Sequence, residues 1–201
     1  MKKLATLFAM VGVGLGTALA QGTIDFHNPN TQPLQVRDAG GTVTTIGATG
    51  SPLGPGSVRV GVFISTTAAT SLLQMTMVGM TTNSSSTLPL FVGTFNGGST
   101  YAIPGHPQSE VVNFAFAAWS ISTGALTYDA ALASGLGYAG ASTIASGYAL
   151  GGGAGLPPLT FGTGPGQVQG FTLTPNVVVP EPSTIALGLL GAAALFFRRR
   201  K

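Results

Sequence analysis

The segment Val58-Arg59-Val60-Gly61-Val62-Phe63-Ile64-Ser65 limits the fold more than any other stretch. Its apolar residues at 58, 60, 62 and 64 recur at every second position. That spacing puts them on one face of a β-strand and on no single face of a helix. The same period returns along the chain. Leu88, Leu90 and Val92 make one such face; Val112, Phe114, Phe116 and Ala118 make another, opposite Asn113 and Trp119. Ile24 and Phe26 alternate with Thr23, Asp25 and His27, and Phe171 and Leu173 alternate with Thr172 and Thr174. The run Leu72 to Met80 is apolar enough throughout to read as a buried strand, and shorter strands are expected near 42–46 and 143–149.

Turn chemistry separates these runs: Asp38-Ala39-Gly40-Gly41, Ser51-Pro52-Leu53-Gly54-Pro55-Gly56, Asn96-Gly97-Gly98 and Pro104-Gly105. Gly supplies left-handed backbone there and Pro fixes φ. The 31 Gly and 13 Pro of the 201 residues therefore read as punctuation between strands rather than as low complexity. Lys and Glu, the good surface helix formers, are nearly missing. One helix is expected, Tyr128 to Ser134, an Ala-rich stretch stopped by Gly135. About eight short strands with this punctuation predict an all-β body, an antiparallel β-sandwich or jelly roll.

Charge separates the ends from the middle. Six of the eight basic residues are Lys2, Lys3, Arg198, Arg199, Arg200 and Lys201. Between residues 21 and 180, Arg37 and Arg59 stand against Asp25, Asp38, Glu110 and Asp129, a net −2. The overall +3 thus gives no basic patch, and nucleic acid is not an expected partner. The chain has no Cys, which excludes thiol nucleophiles, Cys-ligated zinc and iron–sulfur centres. A body of this size buries enough surface to be stable without disulfides.

Residues 1–20 read as a signal peptide. Lys2 and Lys3 form the positive start, Leu4 to Gly16 the apolar stretch, and Ala18-Leu19-Ala20 places small residues where signal peptidase reads them. The expected mature chain begins at Gln21; a retained membrane anchor is the alternative. The C-terminus has three parts in order: Val179-Pro180-Glu181-Pro182-Ser183-Thr184, the uncharged run Ile185 to Phe197, and Arg198-Arg199-Arg200-Lys201. The two prolines keep the first part extended. The 13-residue run is about 20 Å long as a helix, shorter than a comfortable bilayer crossing. Snorkelling Arg side chains and interfacial Ser183 and Thr184 make up the mismatch. The basic cluster Arg198 to Lys201 stops the transmembrane helix on the cytoplasmic side and leaves the body outside.

These three parts over residues 179–201 resemble the PEP-CTERM sorting domain, also called the ice-binding-protein C-terminal domain. The resemblance implies that an exosortase, a membrane-embedded sorting protease, recognises Pro180, Glu181 and Pro182 and processes the tail. It also implies a Gram-negative host that makes exopolysaccharide or biofilm. It carries no implication of ice binding. The body is loosely similar to other β-rich PEP-CTERM proteins around Phe116-Ala117-Ala118-Trp119 and Thr127-Tyr128-Asp129-Ala130-Ala131, which implies no activity.

The body offers little catalytic chemistry. Asp38 lies in a Gly turn, Glu110 precedes a strand, and Asp25 is expected to face solvent. Asp25 and His27 share one face of a strand, as two metal ligands would, with no third candidate nearby. His106 lies in a Pro-Gly-His-Pro turn. Gly-x-Ser-x-Gly is absent. The Gly-rich segments 151–155 and 162–166 precede no helix that would hold a phosphate; they read as flexible loops. Asn83-Ser84-Ser85 fits the glycosylation sequon within the polar stretch 81–87. Trp119 is either a core residue or an exposed platform for stacking on sugar rings. The organisation expected is therefore a signal peptide (1–20), a β body (21–178) and a sorting tail (179–201). The function expected is that of an exported, non-enzymatic cell-surface or extracellular-matrix protein with no cofactor. Signal peptidase, an exosortase-type protease and the membrane are its expected partners, with polysaccharide as a candidate. A carbohydrate-binding module is the alternative, and an unrecognised hydrolase comes after it.

Overall fold

The computed structural model describes residues 21–152 and 155–177. In chain order the strands are β1 (Gln21–Ile24), β2 (Gln35–Arg37), β3 (Val43–Thr45), β4 (Val58–Ser65), β5 (Thr76–Thr82), β6 (Tyr101–Pro107), β7 (Val111–Ser120), β8 (Tyr138–Ala141), β9 (Ala145–Ala149) and β10 (Thr172–Pro175). The helix α1 spans Tyr128–Ser134. The described chain is thus mostly β, in two sheets.

The alternating segment at 58–65 is the centre of the larger sheet. β4 pairs antiparallel with β7 from Val58↔Ser120 to Ser65↔Asn113, and β5 adds to its other edge with a register shift between Val62 and Phe63. The far flank of β7 is shared by two short strands. β8 pairs with Ala117 to Trp119, and β9 pairs with the stretch from Val111 to Phe114. β10 then turns the sheet a corner. Its Thr174 and Pro175 pair antiparallel with β8, while Thr172 and Leu173 pair parallel with β2, which carries β3 at its edge. The expectation of purely antiparallel pairing is corrected at this junction. β10 approaches β8 so closely that a Cβ on Gly140 would lie 2.5 Å from the Thr172 carbonyl oxygen, so only Gly fits there. The second sheet is the β1–β6 ribbon.

The main core lies between these layers. Val58, Val60, Val62 and Ile64 from β4 and Val112, Phe114, Phe116 and Ala118 from β7 pack with Ile24, Phe26, Val36, Phe95 and Ile103. Phe116 is the hub: its ring lies 4.8 to 5.8 Å from those of Phe161, Phe95, Phe114 and Phe26. Such aromatic contacts add about 1 kcal/mol each beyond the area they bury.

The opposite face of the β4–β7 pair is also dry. Phe63, Ala115, Ala117 and Trp119 sit under α1 and the 3₁₀ turn Leu72–Gln74. The helix forms where the sequence predicts it. The Thr127 hydroxyl caps it by accepting from the Ala130 amide at 3.2 Å, and Gly135 ends it in the left-handed region at φ 63°. Its Tyr128 meets Phe63 and Trp119 edge-on. Burial on both faces explains why β7 is buried without interruption from Phe114 to Ser120, although its sequence alternates only in part.

One strand expectation fails, and a second holds only in part. Leu88, Leu90 and Val92 lie in turns, with Leu88 and Leu90 largely exposed. The Gly93 amide bonds the Ile46 carbonyl at 2.7 Å and its carbonyl accepts from Leu34, so this segment is tied down by chain from elsewhere rather than by a ladder. The run Leu72–Met80 breaks into the 3₁₀ turn and then β5, whose residues are at most half-buried because β5 is an edge strand. The signal peptide expected at 1–20, with Ala18 and Ala20, lies outside the described residues, as does the tail from residue 178. The transmembrane helix expected at 185–197 falls within that tail and so also lies outside the described residues. Among the described residues, no helix is long and apolar enough to cross a membrane.

Candidate functional site

Asp25 and His27 do come together. Asp25 Oδ1 meets His27 Nδ1, which joins a buried carboxylate to a half-exposed imidazole. Contrary to the sequence expectation, Asp25 does not face solvent; it is only 3% exposed. The segment 157–161 crosses over it. The Thr160 hydroxyl donates to the Asp25 carbonyl at 2.8 Å, the Thr160 amide approaches Asp25 Oδ2 at 3.4 Å, and the Asp25 amide faces the Tyr148 hydroxyl at 3.4 Å. That hydroxyl in turn donates to the Pro158 carbonyl. Tyr148 and Thr160 are 123 and 135 residues away in sequence, so no local pattern announces them.

Burial raises the Asp25 pKa above its ordinary value, opposed in part by His27 and by the Thr160 amide. Burial also pushes the Tyr148 hydroxyl well above the usual phenol range, so it stays a donor. An imidazole held through Nδ1 by a carboxylate is half of a general-base arrangement. Here both Asp25 oxygens already have protein partners. Among the described residues, no group of three His, Cys, Asp or Glu side chains is gathered closely enough to hold a metal.

The other carboxylates are dispersed and locally engaged. Asp38 Oδ1 accepts from the Thr42 amide at 2.8 Å and closes its turn. Glu110 meets His106 Nδ1 at 2.8 Å, both groups about a quarter exposed, across the reversal from β6 to β7. Asp129 sits in the first turn of α1, where a negative charge suits the helix dipole.

Trp119 is fully buried. Its indole Nε1 donates to the Ala125 carbonyl at 3.0 Å, an oxygen that Arg59 also reaches. It cannot serve as the sugar-stacking platform; the core alternative holds. The sequon residue Asn83 is buried as well. Its Oδ1 accepts from the Val58 amide at 2.8 Å and its Nδ2 points to the Gly54 carbonyl, so the side chain is occupied in tying two loops together. The second Gly-rich loop is also braced: Gln167 Oε1 accepts from the Gly164 amide at 2.8 Å and Gln167 Nε2 donates to the Leu159 carbonyl. Gln21, where the mature chain is expected to begin, lies in β1 and is exposed. The sorting residues Pro180, Glu181 and Pro182 and the basic cluster Arg198 to Lys201 lie outside the described residues.

Residues 178–201 match the PEP-CTERM protein-sorting motif. The tail is therefore of the kind recognised by an exosortase-type processing enzyme, and it marks an exported protein that is anchored in the membrane before processing. No curated protein and no solved structure matches the chain.

Proposed function

We propose that this chain is an exported, non-enzymatic protein of the cell surface or extracellular matrix. Signal peptidase removes residues 1–20 after Ala20, and an exosortase-type protease then reads Pro180-Glu181-Pro182 and releases the body from its membrane helix. The observation that carries this reading is the match of residues 178–201 to a sorting motif. Within the described residues, the main core is assembled from residues 24 to 173, all of them between the two sequence labels. The non-enzymatic part rests on the local engagement of each body carboxylate, with Asp25 and His27 acting as a brace under the 157–161 crossing.

Fractionation of the native host, with mass spectrometry of both mature termini, tests the proposal. The expected result is a chain that begins at Gln21 and lacks the basic cluster, found at the surface or in the medium. Substituting Pro180, Glu181 and Pro182 together by Ala should leave the tail attached and the chain in the membrane fraction. Intact Met1–Lys201 dissolved in the cytosol would sink it.

A further inference from the structure

An aromatic ring is lifted out of the body on a loop that cannot let it fall back. Phe91 is 47% exposed, although Phe95, four residues on, is buried in the core. The loop is pinned by its own turns: the Phe91 amide donates to Leu88 O at 2.9 Å and the Thr94 hydroxyl to Phe91 O at 2.7 Å. A buried side-chain amide, Asn28, and the backbone beside Asn83 hold it. Asn28 gives its Nδ2 to the Gly93 and Gln32 carbonyls and accepts from the Phe95 amide at 2.6 Å, while Asn83 lies next to the Ser84–Thr94 backbone bond. Gly93 makes the tight passage, with φ 68° and no room for a Cβ, which would come within 2.7 Å of Leu34 O.

Two depressions meet at this ring. One, of about 290 Å³, includes Asn30, Leu90 and Asn96 with the half-exposed His27; the other, of about 320 Å³, includes Thr81, Thr82 and Ser85. Phe91 and Asn96 belong to both, and no Lys, Arg, Asp or Glu lines either. An exposed ring flanked by side-chain amides and hydroxyls, with no formal charge, matches one ligand chemistry. A sugar ring has an apolar C–H face that covers an aromatic ring, and hydroxyls around its rim that both donate and accept, as Asn amides do. The walls hold no Lys or Arg, and the one titratable group among them, His27, is already engaged by the Asp25 carboxylate, so an anionic polymer gains little there.

From this we infer that the Phe91 ridge, with the depressions on its two sides, is a binding site for a neutral glycan of at least two sugar units. The chain of sugars crosses the ring, and amides and hydroxyls on either flank engage its rim. The loop is ordered before binding, so little conformational freedom is lost on contact. The inference does not depend on how the protein is exported.

The test uses the chain as the native host makes it, collected from whichever of the membrane, surface or medium fractions holds it, with a zwitterionic detergent without a sugar headgroup where membrane is present. Binding to immobilised dextran, mannan and xyloglucan is compared with binding to anionic alginate. At least one neutral polymer should bind, its oligosaccharides should bind more tightly than the monosaccharide, and alginate should not. Phe91→Ala should weaken that binding about tenfold with an unchanged melting temperature, while Phe91→Trp retains it. Leu73→Ala, at another exposed apolar residue, should leave it unchanged. Failure of every neutral polymer to bind, or equal binding by Phe91→Ala, would overturn the proposal. So would preference for alginate. A shift from dimer to monomer on Phe91→Ala without glycan binding would assign the ridge to self-association instead.

Discussion

The two faces of the β4–β7 pair are both dry, but they are built from different materials. The inner face carries Val and Phe and closes on the rings of Phe26, Phe95 and Phe161. The outer face carries Gly61, Ala115 and Ala117 beside Phe63 and Trp119, and it is closed by a seven-residue helix and a 3₁₀ turn. Large side chains fill the inner space between two layers of sheet. Small ones on the outer face let a helix lie close, with Tyr128 bridging the two large residues that remain. Close packing is thus reached by bulk on one side and by proximity on the other.

That contrast can be broken at Phe116. Phe116→Ala removes a ring enclosed by four others that have little room to collapse, so it should cost about 4 kcal/mol. Denaturant unfolding would read this as a lower midpoint with an unchanged slope. Trp119→Ala on the outer face should cost less, about 3 kcal/mol, because the lid it supports is short and can settle. Should the order reverse, the helix side rather than the aromatic side holds the sheet together. Thr127→Ala sharpens the comparison by loosening only the lid: loss of the cap should cost about 1 kcal/mol, with faster hydrogen exchange confined to α1 and the residues beneath it.

The smallest effect concerns the crossing over Asp25. Burial raises the Asp25 pKa above 3.8, so between that value and its raised value the folded chain holds a proton that the unfolded chain releases. The contribution of Asp25 to stability therefore falls as pH rises through that window and is flat above it. Melting temperatures followed from about pH 3.5 to pH 7 should show this slope, and Asp25→Asn should remove it. A contribution that rises with pH over the same range would mean that the His27 attraction outweighs burial.

Much of this was written in local pattern. The period of two in 58–65 and 112–118 assigned Val60 and Phe116 to one face and Trp119 to the other, and the Ala-rich stretch Tyr128 to Ser134, stopped by Gly135, gave the helix. The sorting tail was equally local, a short linear signal whose parts lie side by side. The errors have a common cause. Leu88, Leu90 and Val92 alternate like a strand, yet Ile46 and Leu34 claim the backbone of Gly93 next to them, so no ladder forms. Asp25 alternates like a solvent-facing residue, yet a segment 135 residues downstream covers it.

By itself the sequence determined which side chains share a strand face, where the helix starts and stops, and that the C-terminal end carries a sorting motif. Those features depend on neighbours one to four positions apart, where backbone geometry alone decides. Only the tertiary structure decided which faces are dry. Trp119 lies beneath a helix that begins nine residues after it, Asp25 beneath a distant crossing, and Phe91 stands clear because buried Asn28 holds its loop from the opposite side. Exposure is a property of what packs above a residue, and the covering chain comes from positions that no local period encodes.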